Sequence, residues 1–317
     1  MSPADLERQL AAYLAVRQAM GYAMRAERTL LADFVRFLID RGNLSPIRAQ
    51  TAVEWATRGA EQRGTSGTAT RLTIARRFLS HLRASDPDTE VPDYGLVATA
   101  RRPTPFLFSD SHIERLLAAA QQAGPRNSLR PHTLTTLLGL LASTGLRVGE
   151  AVRLTVTDVQ LSATPPRLLV RHTKFDKSRW VPLHETTAAQ LAHYLAQRRK
   201  LAYDALSDAF FVSEKGTSLR ISSLGRWFGQ VVVRLGVWPD KGKRWPSLRS
   251  FRHTFAVQRL RTWYEEGADL TTLLPHLSVY LGHVSPEETY WYLTATAELL
   301  SLAAQRFYEY AVPGGER

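Results

Sequence analysis

Residues 281–293 read LGHVSPEETYWYL, a stretch that holds a histidine, a proline and two tyrosines. Pro286 suits the first turn of a helix, because the N–H that proline lacks would have no partner there. That helix would continue through EETYWYLT. Residues two apart on a helix point about 200° apart, so Tyr290 and Tyr292 cannot face the same partner. We therefore expect one tyrosine to pack in the core and the other to be available for chemistry.

The composition favours a globular protein with a polyanionic partner. A chain of 317 residues suggests two domains, and its 44% hydrophobic and 22% charged residues are ordinary for globular proteins. It lacks cysteine, a long apolar run and a signal-like start, so a cytoplasmic location is expected, without contact with a membrane. The net charge of +12 makes nucleic acid the leading partner. A generally basic surface with no specific ligand is the alternative.

The periodicity predicts two domains joined by a linker. Residues 1–88 carry apolar residues at three- and four-residue spacing and read as four helices. Residues 89–105 combine prolines with little periodicity, which is typical of a linker. Residues 106–317 are largely helical, with two β-type runs, RLLVRH and SRWVPL, that predict a hairpin around TKFDK. The predicted fold class is therefore mainly α with a small β-sheet, the second domain being α+β.

Candidate site residues occur at further places in the second domain. In TGLRVGE, residues 144–150, Arg147 at a helix start suits phosphate binding, although an ion pair with Glu150 is the alternative. The hairpin places Lys174 at its tip, where a lysine is usually only solvated, and this is the alternative to a role in chemistry. In SLRSFRHTFAV, Arg249 and Arg252 are three apart and share a helix face, while His253 is expected to point elsewhere.

The order and spacing of these segments resemble the tyrosine recombinase, or phage integrase, family. Its members have an Arg in a TGLR-x-x-E segment, a Lys on a β-hairpin, an H-x-x-R-H segment, an LGH segment and a Tyr nine residues later. This chain has TGLRVGE, TKFDKSRWVPL, RSFRHTFA, LGH and Tyr292, which is nine residues after His283. The resemblance covers the second domain, and the helical first domain is similar to the family's SAM-like core-binding domain. It suggests the two-domain type, Xer-like or transposon-encoded.

The resemblance implies an enzyme that cuts and rejoins DNA site-specifically through a 3′-phosphotyrosyl intermediate, without metal, ATP or other cofactor. Tyr292 is the implied nucleophile, which leaves Tyr290 to pack in the core. Arg147 and Arg252 would clamp the phosphate, since guanidinium groups match its geometry and keep their charge. The remaining implied roles are general acid for Lys174, phosphate hydrogen-bond donor for His283 and support of the site for Glu150.

One departure from the family concerns the proton of the nucleophile. The family usually has a His three residues before its second Arg, and this chain has Arg249 there. An arginine does not deprotonate and cannot act as a base, although it can donate hydrogen bonds and add positive charge. Two interpretations follow: an active site with a different proton route, or an enzyme that is slow or depends on a partner protein.

The resemblance also implies partners and a biological role. The expected partner is double-stranded DNA with inverted-repeat core sites, bound by a homo-tetramer that a C-terminal amphipathic helix links by docking on the neighbouring subunit. The expected role is integration or cointegrate resolution for a mobile element, in the nucleoid. Alternatives are a weak or inactive DNA-binding accessory protein and a topoisomerase. Basic residues expected to contact DNA, unless they only form a solvated face, are Arg71, Arg76, Arg77, Arg101, Arg102, Lys177, Lys243 and Arg244.

Overall fold

The structure, a computed structural model, shows that the chain is divided into two units, residues 1–102 and 103–317. The residues it describes are 1–42, 44–98, 104–125, 127–171, 177–201, 207–240, 244–294, 299–302, 304, 305 and 308, with only the backbone of residues 63 and 294. Within these ranges, every helix is too short or too polar to cross a membrane.

The first unit consists of the four predicted helices. These are α1 (Pro3–Ala19), α2 (Arg25–Asp40), α3 (Ala49–Thr57) and α4 (Ala60–Leu82). Ser2 begins α1 with a capping box, in which its side chain and that of Asp5 each accept the other residue's backbone N–H. Gly64 interrupts α4 with φ 69° and ψ 176°, so the long regular part of α4 begins after it. Trp55 is fully buried in the core of this unit and contacts the Phe34 ring at a centroid distance of 4.8 Å.

The second unit is mainly helical, as the sequence predicted. Its helices are α5 (Asp110–Gln121), α6 (Leu129–Thr144), α7 (Val148–Val152), α8 (Glu185–Lys200), α9 (Ile221–Arg234), α10 (Leu248–Glu265), α11 (Leu270–Leu281) and α12 (Glu287–Thr294). One core lies between α5, α6, α8, α9 and the sheet. A second core joins α10, α11 and α12, and it includes Tyr292.

A small antiparallel sheet lies between α7 and α8. Its strands are β1 (Val159–Gln160), β2 (Arg167–Val170) and β3 (Arg179–Pro182), in the order β1-β2-β3. β2 and β3 are the two runs of the predicted hairpin, and Val170 pairs with Arg179 at its outer end. The two-residue β1 was not predicted, because it is too short to show a period. The register places Arg179 at the start of β3, from where its side chain reaches α11.

Candidate active site

Two of the predicted arginines meet at the C-terminal end of α11. Arg147, just before α7, donates to Gly282 O at 3.0 Å and to Leu281 O at 3.5 Å. Arg252, in the second turn of α10, donates to Leu281 O at 2.7 Å and to Gly145 O at 3.1 Å. The last carbonyls of a helix have no partner within it, so the arginines satisfy groups that would otherwise be unpaired. Their shared acceptor places the two guanidinium groups side by side.

A buried carboxylate joins this pair to a third arginine. Glu150 accepts from Nη1 of Arg147 at 2.8 Å and from Nη2 of Arg179 at 2.9 Å, so the ion pair expected from the sequence is present. Burial alone would raise the pKa of Glu150, but hydrogen bonds and positive charge from Arg179, together with those from Arg147, lower it to about 2. The carboxylate is therefore ionised at neutral pH and fixes both arginines.

Arg179 was not among the predicted site residues. Its Nε donates to Tyr280 O at 2.8 Å, so three arginines bind the last three carbonyls of this helix end. Its side chain is largely buried against Glu150. The sequence offered no signal for this role, because the contact depends on how β3 lies against α7 and α11.

The cluster carries more positive than negative charge. Burial lowers the pKa of Arg252 to about 10, and the charge of Arg147 adds to this effect, whereas the interactions with Tyr292 and Glu150 act in the opposite direction. The guanidinium remains protonated at neutral pH, since its pKa is still well above 7. Such a cluster favours the binding of an oxyanion such as a carboxylate or a phosphate. Within the described ranges, the structure has no group of three or more His, Asp or Glu able to hold a metal ion.

Gly282 allows Arg179 to approach the end of α11. It has φ +69°, and a Cβ at this position would lie 2.5 Å from Nη1 and 2.7 Å from Cζ of Arg179. Gly267 has the same φ of +69°, and nothing lies within 4 Å of a Cβ at that position. A substitution at Gly267 therefore measures the backbone strain alone, without a steric clash such as the one with Arg179.

We expect Gly267→Ala to lower the free energy of unfolding by about 1 kcal/mol, the strain of a left-handed alanine. We expect Gly282→Ala to lower it by about 1–3 kcal/mol more, as overpacking does. Urea unfolding of both variants measures the difference. Equal losses in the two variants would contradict the contact with Arg179.

His283 lies against the predicted nucleophile. Its Nδ1 is 2.6 Å from Oγ1 of Thr289, a fully buried residue of α12. Its ring is nearly parallel to that of Tyr292, with 6.2 Å between centroids and 17° between planes. The nine-residue interval between the two thus corresponds to a ring contact, made across the turn that joins α11 and α12.

The two tyrosines of α12 differ in burial, but the buried one is Tyr292 and not Tyr290. Tyr292 is 2% exposed and Tyr290 is 46% exposed, so the prediction that Tyr290 packs in the core is wrong. The face of α12 that contacts α10 and α11 carries Tyr292, and a residue two positions away points outward. The Tyr292 hydroxyl is 3.1 Å from Nδ1 of His253.

The segment around Arg249 also differs from expectation. Arg249 is exposed in the first turn of α10, whereas Arg252 and His253 are buried. His253, which was predicted to point elsewhere than the two arginines, contacts Tyr292, because α12 packs on α10 at that position. The predicted general acid, Lys174, lies outside the described residues.

The structure corrects two of the predicted DNA contacts in α4. Arg71 is buried, donates to Asp33 at 3.0 Å and lies over the Trp55 ring. Arg76 is also buried and donates to the carbonyls of Pro92 and Asp93 at 2.7 and 2.8 Å. Both guanidinium groups thus bond within their own unit and do not present their N–H groups to an outside phosphate. Among the three arginines predicted here, Arg77 is exposed.

The other predicted DNA contacts fall into two groups. Lys177 and Arg244 are exposed in the second unit. Arg244 precedes Trp245, which forms a T-shaped pair with Trp238 at 5.2 Å, and both rings are more than half exposed. Three further residues lie outside the described part of the chain: Arg101, Arg102 and Lys243.

Comparison with other sequences identifies close relatives. The protein y4rB, a candidate integrase/recombinase of Sinorhizobium fredii, is 38% identical over 299 residues, which cover 93% of this chain and 94% of y4rB. The tyrosine recombinase XerD of Bradyrhizobium diazoefficiens is 30% identical over 311 residues, which cover 90% of this chain and 91% of XerD.

Comparison with solved structures gives the same fold. The Tn1549 transposon integrase, solved with transposon right end DNA, has a TM-score of 0.69 at 17% identity, with 97% of this chain and 99% of that chain covered. The XerH site-specific recombinase, solved on a palindromic difH substrate, has a TM-score of 0.66 at 18% identity, with 89% and 79% covered. Residues 107–298 match the phage integrase family itself. Because this match spans most of the second unit and the relatives align over about nine-tenths of the chain, the protein belongs to the phage integrase family of tyrosine recombinases.

Proposed function

We propose that this protein is a site-specific DNA recombinase that cuts and rejoins duplex DNA through a 3′-phosphotyrosyl intermediate, with Tyr292 as the nucleophile. The observation that carries the proposal is the meeting of Arg147 and Arg252 at Leu281 O, together with the burial of Tyr292 on α12, which packs against the helix that carries Arg252. Transfer of a phosphoryl group to a hydroxyl needs a nucleophile and positive charge on the non-bridging oxygens. These residues supply both.

The remaining residues have supporting roles in this proposal. His283 donates a hydrogen bond to the phosphate, and Lys174 protonates the leaving 5′ oxygen. Glu150 keeps Arg147 in position through its ionised carboxylate. Arg249 adds positive charge at the surface and does not act as the base. In this scheme the side chains supply the chemistry without a metal ion, ATP or another cofactor.

Duplex DNA with inverted-repeat core sites is the proposed partner. The net charge of +12 supports a polyanion, and the relatives solved on DNA, the Tn1549 integrase and XerH, support duplex DNA in particular. Exposed Arg77, Lys177 and Arg244 are the phosphate contacts we propose among the described residues. Residues 1–88 form the core-binding domain in this proposal, residues 89–105 the linker and residues 106–317 the catalytic domain.

A mobile-element role and a tetramer on DNA complete the proposal. The likeness to y4rB and to a transposon integrase supports integration or cointegrate resolution. Leu299 is buried in the core of its own unit, whereas Leu300 is exposed. Leu302 also packs against this core, so we assign docking on a neighbouring subunit to the exposed Leu300 and Tyr308.

Trapping the covalent intermediate tests the proposed function. The protein is incubated with nicked duplexes that carry the inverted repeats flanking its gene, so that the cut strand diffuses away and the adduct accumulates. A denaturing gel is expected to show a protein–DNA adduct, and fragmentation of the peptide by mass spectrometry is expected to place the nucleotide on Tyr292. DNA binding without any adduct would instead favour the accessory protein. Relaxation of a supercoiled plasmid without these repeats would favour a topoisomerase.

A further inference from the structure

The hydroxyl of Tyr292 already has a hydrogen-bond partner that is able to take its proton. Nδ1 of His253 lies 3.1 Å from this oxygen, and the two rings are 5.6 Å apart at 56°. Both residues are buried, with 2% exposure for Tyr292 and 9% for His253. A neutral imidazole with its proton on Nε2 accepts the Tyr292 O–H at Nδ1.

The position of His253 is fixed by the same helix turn that positions the phosphate clamp. His253 directly follows Arg252 on α10, and Arg252 is held at both Gly145 O and Leu281 O. The His253 ring also contacts Trp291 edge to face at 5.6 Å. Movement of the ring is therefore restricted by α10 and α12 together, as a catalytic base requires.

Other groups near Tyr292 suit the role less well. Arg249 occupies the family's usual histidine position, but it is exposed and permanently charged. His283 contacts the Tyr292 ring, yet its Nδ1 lies 2.6 Å from Thr289 and its ring is nearly parallel to the phenol. In the proposed function, its donor capacity is also used by the phosphate.

We propose that His253 is the proton acceptor for Tyr292 during cleavage and the donor during rejoining. This inference rests on the proposed function. In cleavage, the proton moves from the Tyr292 oxygen to Nδ1 as that oxygen bonds to phosphorus. The bond from phosphorus to the 5′ oxygen breaks, and that oxygen takes a proton from the general acid. In rejoining, the 5′ hydroxyl returns its proton to the deprotonated general acid as its oxygen bonds to phosphorus, and the imidazolium returns its proton to the Tyr292 oxygen as that oxygen leaves.

Two substitutions separate proton transfer from mere positioning. The amide oxygen of His253→Asn lies close to the place of Nδ1 and accepts a hydrogen bond, but an amide does not take up a proton at neutral pH. His253→Gln is the second variant, in case the shorter side chain disturbs folding. His276→Asn, on an exposed face of α11, is the matched control for loss of a histidine. Binding to the nicked duplex and the urea midpoint establish that each variant is folded.

The first measurement is the rate of adduct formation under single-turnover conditions. Loss of a general base typically lowers the rate by about 10²–10⁴-fold, and we expect a loss in this range for both His253 variants. The His276 control is expected to match the wild type. Wild-type rates in a folded His253→Asn or His253→Gln variant would overturn the inference and leave the proposed function intact.

The second measurement replaces Tyr292 by 3,5-difluorotyrosine through site-specific incorporation. Fluorine makes the phenol more acidic, so the reaction depends less on a base. We expect the fluorinated residue to recover at least about tenfold of the loss in His253→Asn, a tenth of the smallest effect expected for a general base, while the rate with His253 present changes little. A slow His253→Asn variant without this recovery would show that His253 only positions Tyr292, which overturns its role as acceptor. Absence of an adduct in the wild type would instead refute the proposed function, and the inference with it.

Discussion

Tyr292→Phe is expected to abolish the covalent protein–DNA adduct, whereas Tyr290→Phe is expected to form it at nearly the wild-type rate. Without the hydroxyl at position 292, the proposed nucleophile is absent. The burial of Tyr292 beside His253 and His283, against the exposure of Tyr290, assigns the two residues to different surroundings. The same denaturing gel, read over time with both variants, measures the effect.

The fold of Tyr292→Phe should survive, so that the loss reports on chemistry. The substitution removes one hydrogen bond, worth about 1 kcal/mol. DNA binding, measured by gel shift, should therefore stay close to that of the wild type. Loss of the adduct in Tyr290→Phe with retention in Tyr292→Phe would reverse the assignment of the nucleophile.

Glu150→Gln is expected to destabilise the second unit by about 3 kcal/mol at neutral pH, since breaking a buried ion pair typically costs about 3–5 kcal/mol. The amide keeps the shape of the side chain but leaves the charges of Arg147 and Arg179 uncompensated. Urea unfolding measures the loss. Glu287→Gln, at an exposed position of α12, is the matched control and should change stability by less than about 0.5 kcal/mol.

The pH dependence of stability provides a second test of Glu150. Its pKa in the folded protein is about 2, below the ordinary value of 4.5. A lowered carboxyl pKa stabilises the fold above the unfolded value, and that contribution is lost as the pH falls through the folded value. The wild type should therefore lose about 3 kcal/mol from this group between pH 5 and pH 2, at about 1.4 kcal/mol for each pKa unit. Glu150→Gln should lack this part of the acid dependence, and an unchanged acid profile would contradict the assignment.

The sequence predicted which residues belong to the site better than it predicted their surroundings. The motif intervals of the family resemblance selected Arg147, Arg252, His283 and Tyr292, and the structure brings the two arginines to Leu281 O and the rings of His283 and Tyr292 against each other. The prediction that Tyr290 and Tyr292 point in different directions also agrees with the structure. Which of the two faces inward depends on where α10 and α11 lie, and no local pattern contains that information.

The same limit explains the errors among the basic residues. Arg71 and Arg76 lie on a helix whose charge pattern resembles a solvated or DNA-binding face, yet Asp33 and the carbonyls of Pro92 and Asp93 bind them. Those acceptors are far away in the chain. Arg179 and His253 were missed for a related reason, since their partners lie on other elements.

The three arginines at the end of α11 bear on how the protein responds to ionic strength. Their partners are backbone carbonyls and one buried carboxylate, so dissolved ions have little access to these bonds. The proposed phosphate contacts Arg77, Lys177 and Arg244 are exposed and open to screening, so the release of counterions there is expected to weaken DNA binding steeply as salt rises. Rising salt should therefore weaken the association of the protein with DNA far more than it slows the cleavage of DNA that is already bound.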